Sequence, residues 1–238
     1  MQRWYAGNLG QRLLACERAQ LDAVLPNLFG YHLLQIGQLL SEDLLAASRI
    51  SHRVILDVGE RCSETQGGEY QQGVQLMAKP ETLPLQSDAV DVVVLPHTLE
   101  FAVHPHEVLR EVDRVLVAEG HVVILGFNPW SLWGVWRLLR LRRRRPPWSG
   151  DFRSILRLKD WLALLGFDPI YTRSFFFRPP LKRMGIMNRL DFLECVGRRW
   201  WPFLGGAYIL VAKKRVVTLT PIKPRWRPRR RLIEVGSA

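Results

Sequence analysis

Residues 90–127 constrain the fold of this chain more than any other stretch, because they read as one strand–helix–strand repeat. Residues 90–95 (VDVVVL) are an apolar, β-branched run, typical of a strand buried on both faces of a parallel sheet. Residues 105–117 repeat apolar positions every three or four residues and predict an amphipathic helix. Gly120 is expected to end that helix, and residues 121–127 (HVVILGF) predict a second buried strand. Binding residues are then expected beyond the carboxyl ends of the strands.

The same periodicities predict elements on both sides of this repeat. Residues 8–25 place leucines and a valine at helical spacing, with Glu17 among the polar residues between them, and predict an amphipathic helix. Further strands are predicted at residues 31–37, 52–57, 74–78, 167–177 and 207–211, and a further helix at residues 156–165.

The register of the first strand has an alternative. The run VILDVGERCS, residues 54–63, also reads as a strand that feeds a loop. That register leaves too little chain before Asp91 for two more strands with their crossovers, because one β-α-β unit takes roughly 30 residues. The spacing therefore favours residues 31–37 as the first strand.

Positive charge is concentrated in two segments of this 238-residue chain, whose formal net charge is +12. One lies in residues 137–145, with six arginines from Arg137 to Arg145, and the other in residues 213–231, which include the run from Lys223 to Arg231. The rest of the chain is close to neutral. We predict one domain over residues 1–219 with a Trp- and Arg-rich insertion at about 129–148, followed by a basic, disordered tail over residues 220–238.

Several sequence features bear on location and on metal binding. Three well-separated cysteines without metal-ligand spacing are typical of a reduced, cytoplasmic chain. The first 20 residues lack the pattern of a signal peptide, and no apolar run reaches the roughly 20 residues that span a bilayer. The histidines have no Cys, Asp or Glu partner at ligand spacing, so no metal site is predicted. We expect a cytoplasmic protein, at most peripheral to a membrane.

Residues 81–129 resemble a known family. The stretch LPLQSDAVDVVVLPHTLEF, followed by HPHEVLREVDRVLVAEGHVVILGFNP, is similar to the second half of class I S-adenosylmethionine-dependent methyltransferases of the type 11 kind. The resemblance implies an α/β fold with a doubly wound, mostly parallel seven-strand sheet, Rossmann-like, in which the final strand is antiparallel. It also implies S-adenosylmethionine as the cofactor and methyl transfer to an acceptor as the function.

The resemblance assigns cofactor contacts to the ends of the first two strands. The family carries an acidic residue and a glycine-rich loop after the first strand; the matching positions here are Gln35 and Gly37, with a single glycine. A glutamine can accept a hydrogen bond from the methionine ammonium, but without the strength that a charged acceptor adds. Asp57, at the end of the second strand, matches the acid that binds the ribose hydroxyls.

The remaining candidate residues follow the third and fourth strands. Leu83 belongs to the L-P step of the family pattern, while Pro96 and His97 follow the strand whose end faces the methyl donor and the acceptor. A neutral imidazole at His97 can accept a proton, which makes it the candidate catalytic residue where no catalytic constellation is visible. His104 and His106 are assigned instead to the start of the next helix.

A rival hypothesis is a methyltransferase-like scaffold without activity. Gln35 replaces the expected acid, and Lys79 stands where the family places an acid facing adenine. The basic segments then become the functional surface. Three alternatives exist for residues 129–148: they can lie on an anionic membrane, bind RNA, or form a lid whose tryptophans pack on the sheet. The sequence favours the enzyme over the scaffold, and the methyl acceptor is unknown.

Overall fold

A seven-stranded sheet flanked by helices forms the body of the protein. The computed structural model describes residues 2–38, 44–57, 74–139, 147–180, 194, 197 and 199–216. The strands are β1 (His32–Ile36), β2 (His52–Asp57), β3 (Val74–Met77), β4 (Val90–Pro96), β5 (Leu116–Phe127), β6 (Phe167–Phe175) and β7 (Ala207–Lys214). The helices are α1 (Gln2–Tyr5), α2 (Asn8–Val24), α3 (Thr98–Phe101), α4 (Pro105–Val115), α5 (Leu132–Leu139) and α6 (Ile155–Leu164), with short 3₁₀ turns at Leu25–Asn27 and Pro202–Leu204.

The strand order is β3-β2-β1-β4-β5-β7-β6. Strands β1 to β5 pair in parallel, and β7 runs antiparallel between β5 and β6. The predicted fold class, with seven strands and an antiparallel final strand, is confirmed. Residues 32–36 occupy the sheet centre as β1, so the favoured register of the first strand is confirmed. Winding reverses between β1 and β4, and ligands of such sheets bind beyond the strand ends at this reversal.

Both faces of the sheet are covered, as the apolar run of β4 predicted. Successive side chains of a strand point to opposite faces. Val92 and Val94 therefore pack in one core cluster with α2, whereas Val93 and Leu95 pack in a second cluster with α4 and α6. The hydroxyl of Ser154 accepts a hydrogen bond from the Arg157 N–H and caps the start of α6.

The start of β5 differs from the prediction. Helix α4 ends at Val115 and β5 begins at Leu116, so Gly120 lies inside the strand and does not end the helix. The pairing of β4 with β5 shifts register between Val90 and Val92. An irregularity of this kind in the strand pairing accommodates residues 117–120, including Gly120, within β5.

The basic segments lie mainly outside the described residues. That part includes Arg140, Arg142 to Arg145 and the predicted tail over residues 220–238, with its run from Lys223 to Arg231. In the described part of the predicted insertion, Trp133 is buried against the sheet. Among the described residues, no helix is both long and apolar enough to cross a membrane.

Candidate functional site

The carboxyl ends of β1, β2 and β4 bring most of the predicted site residues to one edge of the sheet. The Gly37 N–H donates to the Leu56 carbonyl, 2.8 Å away, so the end of β1 is joined to the end of β2 next to Asp57. A Cβ atom built on Gly37 would lie 3.8 Å from the carbonyl oxygen of Pro96, at the end of β4. This edge is the crevice in which a doubly wound sheet binds its ligand.

Gln35 presents an unsatisfied acceptor in this crevice. Its side chain is buried, and Nε2 donates to the Gly37 carbonyl at 2.9 Å. Its Oε1 is also buried, and within the described residues it has no hydrogen-bond partner. A buried acceptor without a donor costs roughly 1–3 kcal/mol, a penalty that a ligand N–H removes. The residues present therefore fit a ligand that carries an ammonium group.

Gly37 has a conformation and a neighbour that require glycine. Its φ is +94°, which side-chain-bearing residues rarely adopt. A Cβ atom there would lie 2.9 Å from Oγ1 of Thr98, whose hydroxyl donates to the Ile36 carbonyl. The start of α3 thus packs directly against the turn after β1, and the crevice wall at Gly37 is bare backbone.

Leu83 contacts a different part of the molecule. Its side chain is buried in the cluster that includes α4, its N–H donates to Glu111 Oε2 at 3.1 Å, and its carbonyl accepts from Arg114 at 3.0 Å. The hydrogen bond from Arg114 is the main reason why the pKa of Glu111 is lowered. These contacts attach Leu83 to α4 and do not join it to Gln35 or Gly37.

His97 is buried at the end of β4, between two carboxylates. Its Nε2 lies 2.8 Å from Glu17 Oε1 of α2, and its Nδ1 lies 3.0 Å from Glu100 Oε2 of α3. The Tyr5 hydroxyl donates to both Glu17 oxygens at 3.0 and 3.2 Å, and the Phe127 N–H donates to Glu100. We call Tyr5, Glu17, His97 and Glu100 the histidine cluster. It joins the N-terminal helices to the ends of β4 and β5.

The charges in the histidine cluster keep His97 protonated. Burial alone would lower the pKa of His97, but the Glu100 and Glu17 charges and their hydrogen bonds raise it from 6.5 to about 10. Burial, together with Glu17, also raises the pKa of Tyr5 well above its ordinary value, so its hydroxyl remains a donor. At neutral pH the imidazolium donates from both nitrogens and has no lone pair to accept a proton. This arrangement suits a structural cation.

Sequence reasoning missed Tyr5, Glu17 and Glu100. Glu17 was placed among the polar positions of its helix, yet it is fully buried. A signal was present, because Leu13, Glu17 and Leu21 follow one another at intervals of four and therefore share one helix face. An acid in the apolar stripe of a helix indicates a buried partner.

Comparison with known proteins agrees with the topology. Residues 41–124 match a family model described as a methyltransferase domain. An S-adenosylmethionine-dependent methyltransferase of Thermotoga maritima superposes with a TM-score of 0.64 at 18% identity, covering 90% of this chain and 93% of that one. One from Archaeoglobus fulgidus gives 0.56 at 18%, covering 83% and 92%. This chain has the fold of class I S-adenosylmethionine-dependent methyltransferases and carries a methyltransferase-domain match, so the resemblance noted in its sequence is confirmed.

The similarity to one bacterial protein extends over most of the chain. The uncharacterized protein YafS of Escherichia coli (strain K12) is 36% identical over 211 residues, which cover 88% of this chain and 79% of YafS.

Proposed function

We propose that this protein transfers the methyl group of S-adenosylmethionine to an acceptor molecule. The observation that carries the proposal is the buried, unpaired Oε1 of Gln35 beside the bare backbone of Gly37, at the point where the sheet reverses its winding. When bound, the cofactor supplies an electrophilic sulfonium methyl group. The task of the chain is to hold that group in line with a nucleophile, so most of the rate comes from proximity and orientation.

Individual residues have defined roles in this proposal. Gln35 Oε1 accepts from the ammonium of the cofactor, Gly37 lets the backbone approach closely, and Asp57 binds the ribose hydroxyls. Pro96 and His97 form the floor of the crevice at the end of β4, with His97 held by its two carboxylates. His97 is therefore a positioning residue in this proposal. The acceptor attacks the methyl group through a lone pair of its own, and any proton that it then loses passes to solvent.

The amide of Gln35 does two things that a carboxylate cannot do together. Its Nε2 donates to the Gly37 carbonyl, while its buried Oε1 keeps an unused acceptor position among the described residues. A carboxylate here would set an acceptor against the Gly37 carbonyl. The departure from the family's acidic residue is thus compatible with a working cofactor site.

Calorimetric titration with S-adenosylmethionine tests this proposal. We expect saturable binding by the wild-type protein and about 10- to 100-fold weaker binding by Asp57→Asn, which loses charged hydrogen bonds to the ribose. Asp168→Asn is the matched control, because Asp168 is an exposed acid on edge strand β6 that pairs with Arg215. Absence of binding to the wild type at millimolar cofactor contradicts the proposal, as does equal binding by both variants.

We also propose that the protein acts at an anionic membrane surface. Helix α5 exposes one apolar face while Trp133, on its other side, is buried. The Asn128 side chain accepts from the Trp130 N–H at 3.1 Å and donates to the Phe203 carbonyl at 2.5 Å, so a second exposed apolar segment lies beside the first. Together these exposed residues form the apolar patch: Trp130, Leu132, Val135, Leu138, Trp200, Trp201 and Phe203.

The composition of the apolar patch favours a lipid surface over RNA. Tryptophan is the residue that concentrates at the headgroup level of bilayers, and basic residues beside an apolar helix face add attraction to anionic lipid. Four arginines, Arg142 to Arg145, follow α5 closely in the sequence. RNA binding draws on arginines and stacked aromatics, which would leave the exposed Leu132, Val135 and Leu138 without a role.

Sedimentation with phosphatidylserine-containing vesicles tests the membrane proposal. We expect the protein to sediment with them, and Val135→Glu to lower the partition coefficient about tenfold, because an apolar contact is replaced by a charge. Leu164→Glu is the control, since Leu164 is exposed on α6 away from the apolar patch. Equal loss in both variants would contradict the assignment, and so would binding to single-stranded RNA that excludes binding to vesicles.

A further inference from the structure

Two cavities that share a wall lie beside the crevice. The larger, about 340 Å³, is lined by residues from the start of α4 and by Arg153, Arg157 and Trp161. The smaller, about 210 Å³, is lined by Pro129, Trp130, Phe152 and Ser154 together with the same two arginines. We call the pair the arginine cavity.

The arginine cavity opens at the same edge of the sheet as the cofactor crevice. Its walls come from the N-terminal ends of α4 and α6 and from the residues that follow β5. The Phe152 ring lies 5.0 Å from the Phe127 ring, which lies 4.2 Å from the His97 ring at the end of β4. Only two aromatic contacts therefore separate the cavity wall from the proposed methyl-transfer site.

Positive charge in this cavity is poorly compensated. Arg110, Arg153 and Arg157 line the larger cavity, and Glu107 is the one acidic residue among its lining residues. Nε of Arg153 is buried without a hydrogen-bond partner, and its terminal nitrogen is 3.7 Å from Asp151. In the described parts of the chain, Arg110 and Arg157 have no acidic partner within 4.0 Å. Guanidinium groups left in this state are available to an oxyanion, which they bind in bidentate geometry.

Trp161 fixes the positions of two of these arginines. The Arg153 and Arg157 guanidinium carbons lie 5.6 and 5.4 Å from the centre of the Trp161 ring, and the His106 ring lies 3.9 Å from it. Trp161 itself is buried in the α4 and α6 core cluster. Stacking on a buried indole reduces the freedom of long side chains and so lowers the entropy lost when they bind a ligand.

We propose that the arginine cavity binds a phosphate group on the methyl acceptor, so that the substrate is a phosphate-bearing small molecule. Among the lining residues three guanidinium groups face one carboxylate, and the nearby Asp151 carboxylate is shared between Arg153, at 3.7 Å, and Arg137, at 2.9 Å. The cavity therefore keeps an excess of positive charge, which suits a phosphate group. The N-terminal ends of α4 and α6 add to the positive potential. The inference rests on the proposed methyltransferase function, because it assigns the anion to the acceptor of that reaction.

Titration of the 238-residue protein with inorganic pyrophosphate, followed by NMR, tests the site directly. The readout is the indole N–H signal of Trp161, assigned by its disappearance in Trp161→Phe. We expect a saturable shift of this signal, and about tenfold weaker binding in both Arg157→Gln and Arg110→Gln. Arg18→Gln is the matched control, because it removes the same charge from an exposed position on α2, across the sheet. Its pyrophosphate affinity is expected to equal that of the wild type.

Two further titrations separate the remaining outcomes. Acetate at equal ionic strength tests whether the site prefers phosphate, and S-adenosylmethionine tests whether the cofactor site is intact. A shift with acetate as large as that with pyrophosphate would overturn the phosphate assignment, and so would an equal loss of affinity in Arg18→Gln and Arg157→Gln. Arg157→Gln is expected to leave the cofactor dissociation constant unchanged. If the wild type binds cofactor but not pyrophosphate, this inference alone fails; if it binds pyrophosphate but not cofactor, the proposed methyltransferase function fails and the anion site stands.

Discussion

His97→Ala is expected to lower the free energy of unfolding by about 3–5 kcal/mol, the usual result of removing one partner from a buried ion pair. The substitution leaves the Glu17 and Glu100 carboxylates buried without the cation that both contact. It also removes the link between α2 and the end of β4. Chemical denaturation at pH 7 measures the effect. His52→Ala is the control, because His52 is exposed at the start of β2 and should change stability by less than about 0.5 kcal/mol.

The same residue should make stability depend on pH in a defined direction. The folded pKa of His97, about 10, lies above its ordinary value of 6.5. Its stabilising contribution is therefore fully present below pH 6.5 and is lost as the pH rises towards 10. The difference in unfolding free energy between the wild type and His97→Gln should shrink steadily from pH 7 to pH 9. A difference that is constant or that grows over this range would show that His97 is not the cation of the cluster.

Gly37→Ala is expected to weaken S-adenosylmethionine binding by at least about tenfold and to lower stability by about 1–3 kcal/mol. A side chain at φ +94° is strained, and the new Cβ would meet Oγ1 of Thr98 at 2.9 Å. The turn must then move, and the move displaces the Gly37 carbonyl that orients Gln35. Calorimetry with the cofactor, together with thermal unfolding, measures both effects.

Gly166 provides the matched control for this substitution. Its φ is +81°, but the nearest atom to a built Cβ, the Arg215 carbonyl oxygen, is 3.6 Å away. Gly166 lies between α6 and β6, far from the crevice. Gly166→Ala therefore carries the backbone strain without the clash. We expect it to lower stability by about 1 kcal/mol and to leave cofactor affinity unchanged. Loss of cofactor binding in Gly166→Ala as well would mean that Gly37 acts only through global stability.

Local patterns in the sequence were sufficient for most of the fold. Helix α2 and strand β2 were predicted to within one residue, because the apolar periods of helices and strands are local properties of the chain. The prediction erred at the start of β5, where the pairing with β4 extends the strand back through Gly120. Pairing between strands is a tertiary property, and it overrode the preference of glycine for a turn.

The candidate site was predicted only where its residues end a strand. Gln35, Gly37, Asp57 and Pro96 could be placed at one edge because parallel strands bring their carboxyl ends together. The unpaired, buried acceptor of Gln35 could not be predicted, since it depends on which of its amide atoms meets the Gly37 carbonyl.

The sequence by itself determined the order of the seven strands and of the three longest helices, the family resemblance, and the glycine at the end of β1, because each of these depends on residues close together in the chain. Only the tertiary structure decided what surrounds His97, since Glu17 lies 80 residues away from it in sequence. It also decided that arginines before and within α6 share a cavity with the start of α4. Side chains that distant meet only when helices pack on a common sheet, and no local periodicity records which of them will face each other.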